Sequence, residues 1–315
     1  MAGPLDLRRR YPPDAAIGEW RAPDGWRHRA FEWAATAPGG ARGSILFQAG
    51  RGDVFEKYLE TFHHLNRRGW NVASFDWRGQ GGSGRCGPHP HCGHVERFDL
   101  FNDDLRAFWS GWAARTPGPH VLIGHSMGGY IALQALVERS VNPAAAVLVA
   151  PMLGLNGPVP ARIGGWAARL MRSIGDPARP AWKGNERPAT TETRQELLTH
   201  DADRYADEIW WQQADARLMT GPPSWGWVAD AFARTLALGR DVRLSDMQVP
   251  LLGLIAEADA LVDPRAARAI LSRLPDARIL AFGREAAHEL LREADGVRDR
   301  ALAAIDAFLD QKAPA

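Results

Sequence analysis

The sequence predicts an α/β protein with a mostly parallel central sheet and helices on both of its faces. Short apolar runs bounded by turn residues alternate with helical patterns along the chain, and most runs are apolar almost throughout, as in strands buried on both faces. From Met152 to about Asp246 this rhythm stops, which indicates a helical insertion between two strands. The 315 residues are enough to bury a large core.

Six segments are predicted to be buried strands because apolar residues fill them between turn residues. They are Ser44–Gln48, Asn71–Trp77, His120–Gly124, Ala145–Ala150, Pro250–Ala256 and Ala277–Phe282. An earlier pair, Gly18–Arg21 and Arg27–Ala34, is separated by the turn Pro23-Asp24-Gly25. This pair predicts an antiparallel hairpin at the edge of the sheet.

Helical periodicity predicts helices around the sheet and more helices within the insertion. Those around the sheet are Phe55–Arg68, Asp99–Arg115, Ser126–Arg139, Pro264–Arg273 and Ala294–Leu309. Those of the insertion are Ile163–Ile174, Thr191–His200, Ala202–Met219 and Trp225–Leu238. Because the sheet resumes at Pro250, we interpret the insertion as a lid: residues 1–151 and 247–315 form the core, and residues 152–246 form the helical lid.

Charge and cysteine content exclude several classes of protein. The chain has 38 Lys and Arg against 37 Asp and Glu, a net charge of +1, whereas nucleic-acid-binding domains usually carry a clear basic excess. Cys86 and Cys92 cannot form a disulfide framework. The run Arg8–Arg10 is not followed by the apolar segment of a signal peptide, and the uncharged stretch Ser140–Ala161 contains several prolines. We therefore predict a cytoplasmic protein without stable membrane insertion.

The strongest chemical signal is Gly124-His125-Ser126-Met127-Gly128, which matches G-x-S-x-G. A predicted buried strand precedes it and a predicted helix follows, which is the setting of a nucleophile elbow. Its glycines permit a turn too tight for side chains, and the helix N-terminus after Ser126 favours a developing negative charge. The alternative is a glycine-rich turn with an incidental serine.

A serine hydroxyl needs a base, and in this arrangement the order along the chain is serine, acid, histidine. Only His200 and His288 follow the serine, and His288 alone comes after the last strand. The acid is expected after the strand Pro250–Ala256. There we favour Asp259, with Glu257 as the alternative, whereas Asp263 before a proline is typical of a helix N-cap.

Two main-chain N–H groups are needed to stabilise the oxyanion. One is expected from Met127, directly after the nucleophile, and the other from the glycine-rich loop Gln48–Asp53. In that loop we favour Arg51, which would donate through its main chain while its side chain points elsewhere.

With these residues identified, the chain resembles the α/β-hydrolase superfamily from about Gly43 to Leu309. It is most similar to the bacterial lysophospholipase and monoacylglycerol lipase group, also described as serine aminopeptidase-like hydrolases. The segments that carry the resemblance are Phe75–Ser83, Gly124–Gly129, Ala256–Pro264, Ala286–Glu293 and, in the lid, Leu198–Asp201 with Arg204-Tyr205, and Gly221–Trp227. The resemblance implies the α/β-hydrolase fold, a Ser126–Asp259–His288 triad and hydrolysis of a carboxylic ester with a long acyl chain. Many relatives carry His-Gly where this chain has Ala49-Gly50.

Tryptophan is unusually frequent, with thirteen residues in the chain. Six fall in the predicted lid, where bulky aromatic side chains can hold the lid to the core, line an acyl pocket, or do both. As candidates for substrate binding we select Trp166, Trp210, Trp211, Trp225 and Trp227; the sixth is Trp182.

A loop rich in cysteine and histidine contains the residue types that bind zinc. Between Arg85 and His94 lie Cys86, His89, His91, Cys92 and His94. Because their spacing matches no named finger, we predict a reduced, solvent-facing loop without metal.

The sequence thus predicts a serine hydrolase that cleaves carboxylic esters, such as lysophospholipids or monoacylglycerols, and needs no cofactor. The expected partner is a small acyl-lipid ester and not a nucleic acid. Two alternatives stay open: an aminopeptidase-like or other amide hydrolase with the same residues, and a non-catalytic protein that binds a lipid or a partner through the lid.

Overall fold

Eight strands form one sheet in the computed structural model, which describes residues 4–36, 40–157, 159–182 and 191–314. The strands are Ala16–Arg21 (β1), Arg27–Trp33 (β2), Gly43–Gln48 (β3), Trp70–Phe75 (β4), His120–His125 (β5), Ala145–Val149 (β6), Leu251–Ala256 (β7) and Ala277–Phe282 (β8). Their order across the sheet is β1-β2-β4-β3-β5-β6-β7-β8. The β1–β2 and β2–β4 pairs are antiparallel and the other pairs are parallel.

Helices cover both faces of the sheet. In chain order they are Pro4–Arg9 (α1), Leu59–Arg67 (α2), Asp99–Ala113 (α3), Met127–Val137 (α4), Ala161–Ser173 (α5), Thr191–Leu198 (α6), Ala202–Ala214 (α7), Trp225–Leu238 (α8), Pro264–Leu271 (α9) and Asp295–Lys312 (α10). Residues of α3, α4, α8 and α9 form a hydrophobic cluster with the sheet. Residues of α2 and α10 belong to a second cluster.

Burial explains why the strands could be recognised. Every residue of β3, β6 and β7 is buried, since helices cover both faces there, so these strands are apolar almost throughout. The edge strand β1 is mostly exposed. The predicted α/β class with a mostly parallel sheet is confirmed.

Two predicted helices differ in their bounds from the helices of the structure. The predicted helix Phe55–Arg68 is divided into a 3₁₀ turn, Phe55–Tyr58, followed by α2. The predicted helix Ala202–Met219 stops at Ala214, and the side chain of Asp215 caps a short 3₁₀ helix. The N-cap prediction for Asp263 is confirmed, since its carboxylate accepts main-chain N–H groups of α9.

The insertion lies between two neighbouring parallel strands. The chain leaves the sheet after β6, passes through α5 to α8 and returns in β7. Within the part of the chain that the structure describes, the helices are all too short or too polar to cross a membrane.

Candidate active site

The turn between β5 and α4 holds Ser126 in a rarely populated backbone conformation. Its φ is 52° and its ψ is −117°, values that store about 1–3 kcal/mol of strain. The Ser126 N–H donates to the carbonyl of Val149 at 3.0 Å. A Cβ at Gly124 would lie 2.6 Å from the carbonyl oxygen of Gly128, so the tight turn needs glycine there. The strand, turn and helix therefore hold the serine at the carboxyl edge of the sheet.

Ser126, His288 and Asp259 form a continuous hydrogen-bonded chain. The Nε2 of His288 lies 2.8 Å from the Oγ of Ser126, and its Nδ1 lies 2.6 Å from the Oδ2 of Asp259. The other carboxylate oxygen of Asp259 accepts N–H bonds from Leu261 at 2.8 Å and Val262 at 3.1 Å. All three side chains are buried. This geometry permits proton transfer from the serine to the imidazole while the carboxylate orients the ring.

The other candidates for acid and base lie elsewhere. The Glu257 side chain is 54% exposed and pairs with Arg268. The His200 ring binds the carboxylate of Glu293 at 2.9 Å. Asp259 and His288 are therefore the acidic and basic side chains that the structure joins to Ser126.

Electrostatics lower the pKa of Asp259 and raise the pKa of His288. Burial alone disfavours the imidazolium form of His288, but the charge and hydrogen bond of Asp259 outweigh it and raise the His288 pKa above 6.5. Burial also disfavours the Asp259 carboxylate, but His288 and the main-chain N–H groups lower its pKa below the usual value.

We predict that activity falls as the pH is lowered through neutrality. The proton acceptor must be neutral imidazole, and the Asp259 charge keeps His288 protonated to higher pH than an ordinary histidine. The acid limb of kcat/KM for a soluble short-chain ester is therefore expected to have its midpoint at a higher pH than the usual pKa of a histidine. A midpoint well below that value would contradict this assignment of the base.

The predicted oxyanion loop is anchored on both sides of Arg51. The N–H of Gly50 donates to the Asp53 carboxylate at 3.1 Å, and the N–H of Gly52 donates to the Gln80 side chain at 2.6 Å. The Arg51 guanidinium donates to the Gly221 carbonyl at 2.9 Å, so this side chain does point away from the loop, toward the insertion. Its main-chain role stays a prediction.

Gln80 was not predicted, although it lies in a motif that carries the resemblance. It is buried, and besides accepting the Gly52 N–H it places its Nε2 4.0 Å from the Sδ of Met127. One side chain thus touches both segments that are expected to supply oxyanion donors, which identifies Gln80 as a positioning residue for the two segments.

A buried polar cluster next to His288 was also not predicted from the sequence. Asp53, besides holding Gly50, accepts the Tyr58 hydroxyl at 2.8 Å. Tyr58 lies 2.8 Å from the Nδ1 of His125, and the Nε2 of His125 lies 3.4 Å from the carbonyl oxygen of His288. The cluster therefore links the predicted oxyanion loop to the segment that carries His288.

Lys57 extends this cluster into the insertion. Its Nζ lies 2.7 Å from Glu289 and 3.0 Å from Glu208 of α7, and it also binds Asp53. Burial alone would lower the pKa of Lys57, but these carboxylates raise it above its usual range. Removing one partner from such a buried group costs about 3–5 kcal/mol, so this part of the insertion is firmly fixed to the core.

The segment Leu198–Asp201, with Arg204, fastens the insertion to the loop that carries His288. The Glu293 carboxylate binds the main-chain N–H and ring of His200 at 3.1 and 2.9 Å. It also accepts the N–H of Ala287 at 2.7 Å, directly before His288. Arg204 donates to the Glu293 carbonyl at 2.8 Å. Through these contacts, a motif that is far from Ser126 in the sequence holds the loop that carries His288.

Two of the selected tryptophans contact the amino-terminal segment. Trp211 is buried, donates to the Arg8 carbonyl at 2.9 Å and lies 4.8 Å from the Tyr11 ring. Trp210 lies under the guanidinium of Arg9 at 5.8 Å. These are packing contacts, and the substrate-binding role of the two tryptophans stays a prediction.

The other selected tryptophans differ among themselves. Trp227 is buried beside Phe98 at 5.4 Å, and the Arg51 guanidinium lies 5.6 Å from its ring. Trp225 is half-buried, whereas Trp166 is 62% exposed. Trp227 is thus the selected tryptophan that touches a residue of the predicted oxyanion loop.

The loop Arg85–His94 packs against the insertion. Cys92 is buried near the Ala178 carbonyl, and the buried His94 ring lies 2.7 Å from the Ser224 hydroxyl. The prediction of a solvent-facing loop is therefore wrong for these two residues, because the insertion covers them. Across the described ranges, the structure contains no group of three or more Cys, His, Asp or Glu side chains arranged to hold a metal ion.

Comparison with known proteins identifies relatives over most of the chain. The family described as "Serine aminopeptidase, S33" matches residues 39–295. The lysophospholipase L2 of Escherichia coli K12 is 32% identical over 287 residues, which cover 85% of this chain and 80% of that protein. The probable lysophospholipase L2 of Haemophilus influenzae is 27% identical over 270 residues, covering 84% and 83%.

Solved structures share the same fold. A soluble variant of monoglyceride lipase from Saccharomyces cerevisiae aligns with a TM-score of 0.76 at 18% identity, covering 95% of this chain and 96% of that chain. A monoacylglycerol lipase from Paleococcus ferrophilus aligns with a TM-score of 0.68 at 18% identity, covering 89% and 98%. At these identities the alignments establish the fold alone.

Proposed function

The chain belongs to the serine aminopeptidase S33 family of α/β-hydrolases and is a carboxylic ester hydrolase, and from that premise we propose that it cleaves lysophospholipids through Ser126, His288 and Asp259. The resemblance to the lysophospholipase and monoacylglycerol lipase group is confirmed. The observation that carries the proposal is the hydrogen-bonded chain from Ser126 Oγ through His288 to Asp259, in a protein 32% identical to a lysophospholipase.

The proposed reaction begins with attack of the Ser126 Oγ on the ester carbonyl carbon. His288 Nε2 takes the hydroxyl proton as the new C–O bond forms, and then gives it to the leaving alcohol as the ester bond breaks. The acyl group stays on Ser126 as an ester. A water molecule, deprotonated by the same nitrogen, attacks the carbonyl carbon of this ester. The bond to the Ser126 Oγ then breaks, His288 returns the proton to that oxygen, and the fatty acid is released.

The proposed oxyanion donors are the main-chain N–H groups of Met127 and Arg51. Met127 begins α4, so its N–H also carries the positive end of that helix dipole. Loss of one such donor typically costs about 3 kcal/mol in the transition state. The N–H groups of Gly50 and Gly52, on either side of Arg51, are both hydrogen-bonded. This supports the proposed role, because donors that are held in place need no reorganisation during the reaction.

The test is a comparison of substrates under identical conditions. The panel contains p-nitrophenyl esters from acetyl to palmitoyl, lysophosphatidylcholine, lysophosphatidylethanolamine, monoacylglycerol and aminoacyl p-nitroanilides. We expect kcat/KM to rise with acyl length and the lysophospholipids to be cleaved to free fatty acid. Cleavage of the acetyl and butyryl esters alone would contradict the long-chain proposal.

The family description makes amide hydrolysis the second candidate. An aminopeptidase would cleave the aminoacyl p-nitroanilides faster than any ester of the panel. Turnover of monoacylglycerol without turnover of lysophospholipid would support ester hydrolysis but contradict a phospholipid head group on the substrate.

A further inference from the structure

The turn that follows β4 contacts both the predicted oxyanion segments and the insertion. In this turn Gln80 accepts the N–H of Gly52 at 2.6 Å, and its Nε2 lies 4.0 Å from the Sδ of Met127. The next residue, Gly81, donates its N–H to the Oγ1 of Thr220 at 3.0 Å. Two successive residues of one turn therefore connect the insertion to the segments that are proposed to supply the oxyanion donors.

Thr220 is buried where the insertion meets the core. It is 2% exposed and lies in the segment that leads to α8. A Cβ on Gly52 would lie 3.7 Å from the Cβ of Thr220, and one on Gly93 would lie 3.2 Å from its Cγ2. The side chain thus packs against Gly52, the residue directly after Arg51, while its hydroxyl binds Gly81.

Two arginines hold the carbonyl groups on either side of this threonine. The Arg85 guanidinium donates to the carbonyl of Met219 at 2.6 Å and to the carbonyl of Gly81 at 2.7 Å. It therefore fastens together the same two segments that the threonine hydroxyl joins. The Arg51 guanidinium donates to the carbonyl of Gly221 at 2.9 Å. The place of the threonine is thus set by the turn after β4 and by the predicted oxyanion loop.

The main chain at Gly81 has little room to adjust. Its φ is 48°, in the left-handed region, and a Cβ there would lie 2.6 Å from the Oδ2 of Asp76 and 2.7 Å from the Cγ1 of Val54. Its N–H is buried, and a buried N–H needs an acceptor. Because the Thr220 hydroxyl is that acceptor, its loss would force this packed turn, and Gln80 with it, to shift.

The proposed oxyanion donors tolerate little displacement. Each must lie about 2.7–3.1 Å from the place that the oxyanion will occupy. A misplacement of about 1 Å can lower a rate about a hundredfold, even when the substituted residue is far from the reacting atoms. Contacts that fix the turn after β4 therefore affect the chemical step more than they affect substrate binding.

We propose that Thr220 is a positioning residue for the oxyanion donors, so that the insertion helps to stabilise the transition state. Its hydroxyl fixes Gly81, and the neighbouring Gln80 then holds the two donor segments at the spacing that the oxyanion needs. The proposal rests on the proposed roles of Arg51 and Met127, whereas the contacts of Thr220 do not.

The test compares Thr220→Val with Thr220→Ser. Valine keeps the shape of threonine but offers no acceptor to the Gly81 N–H, whereas serine keeps the hydroxyl. With p-nitrophenyl butyrate we expect Thr220→Val to lower kcat about tenfold, because displaced donors stabilise the oxyanion less. KM is expected to stay within about twofold of the parent, as for an interaction made only in the transition state. Thr220→Ser is expected to recover most of the lost kcat.

A trifluoromethyl ketone provides a readout that a purely structural role would not change. The Ser126 Oγ adds to its carbonyl carbon, His288 takes the hydroxyl proton, and the carbonyl oxygen becomes an oxyanion like that of the transition state. In Thr220→Val the inhibition constant is expected to rise by the same factor by which kcat/KM falls. Inhibition by an alcohol of the same chain length, which forms no oxyanion, is expected to change less than about twofold.

The matched control is Thr235→Val in α8. Thr235 is also buried in the insertion, but its hydroxyl donates to the carbonyl of Ala231 in the same helix at 2.8 Å. Thr235→Val is expected to keep the kcat and the inhibition constant of the parent. Thermal unfolding of each variant shows that it is folded at the assay temperature.

Arg85→Gln is the second variant, and it decides the question if Thr220→Val does not fold. It removes the guanidinium that fastens the two segments and leaves the threonine hydroxyl in place. It is expected to lower kcat and to raise the inhibition constant of the ketone together, with KM unchanged. A loss that appears in KM alone would overturn the proposal.

The same conclusion would follow if folded Thr220→Val kept the kcat and the inhibition constant of the parent, or if Thr220→Ser lost as much activity as Thr220→Val. Either result, together with an inactive Ser126→Ala, would refute the role of Thr220 and leave the proposed function in place. Full activity of Ser126→Ala would refute both.

Discussion

Ser126→Ala is expected to lower kcat for ester cleavage by about a millionfold and to leave folding intact. The hydroxyl supplies the nucleophile, and without it the remaining groups can only orient a water molecule. The left-handed backbone at Ser126 is held by hydrogen bonds to Val149 and Met152, which involve main-chain atoms only. Alanine keeps these bonds, so the melting temperature is expected to change little.

The assay for this prediction is single-turnover cleavage of p-nitrophenyl butyrate at pH 8, with thermal unfolding of both proteins. Ser272→Ala, at the C-terminal end of α9 and far from Ser126 in sequence, is the matched serine control and is expected to be fully active. Adding His288→Ala to Ser126→Ala is expected to lower kcat almost no further, because the two side chains act as one unit. Turnover within tenfold of the parent would assign the nucleophile to another residue.

The core of the fold could be predicted because its signals are local. Strands such as β6 are buried on both faces and are therefore apolar throughout, and Ser126 lies in a turn whose glycines are visible in the sequence. His288 and Asp259 required one further step, the chain order of loops at the carboxyl edge of a parallel sheet. The structure brings all three residues together, although their chemical roles stay predictions.

Contacts between segments that are far apart in the chain could not be predicted from the sequence. Lys57 falls in a helical pattern where a lysine normally faces solvent, yet the structure buries it with carboxylates from three segments. Trp211 lies in the insertion but packs on Tyr11, near the amino terminus. His94 was expected to face solvent and is covered by the insertion. Each outcome depends on how the insertion folds back over the core, which no local pattern encodes.

Asp259→Asn is expected to lower kcat by about 10⁴-fold with little change in KM. One oxygen of Asp259 accepts the N–H groups of Leu261 and Val262, so the introduced amide keeps its own oxygen there. Its NH₂ group then faces the Nδ1 of His288 and makes that nitrogen an acceptor. The ring proton moves to Nε2, which can no longer take the proton of Ser126.

The matched control is Glu257→Gln, which changes the neighbouring exposed carboxylate and is expected to stay within about twofold of the parent. Full activity of Asp259→Asn combined with inactivity of Glu257→Gln would assign the acid to Glu257. The pH profile gives a second readout. The Asp259 charge raises the His288 pKa against burial, so its removal leaves burial to lower it. The acid limb of the residual activity should therefore move to lower pH, a shift that loss of structure alone would not produce.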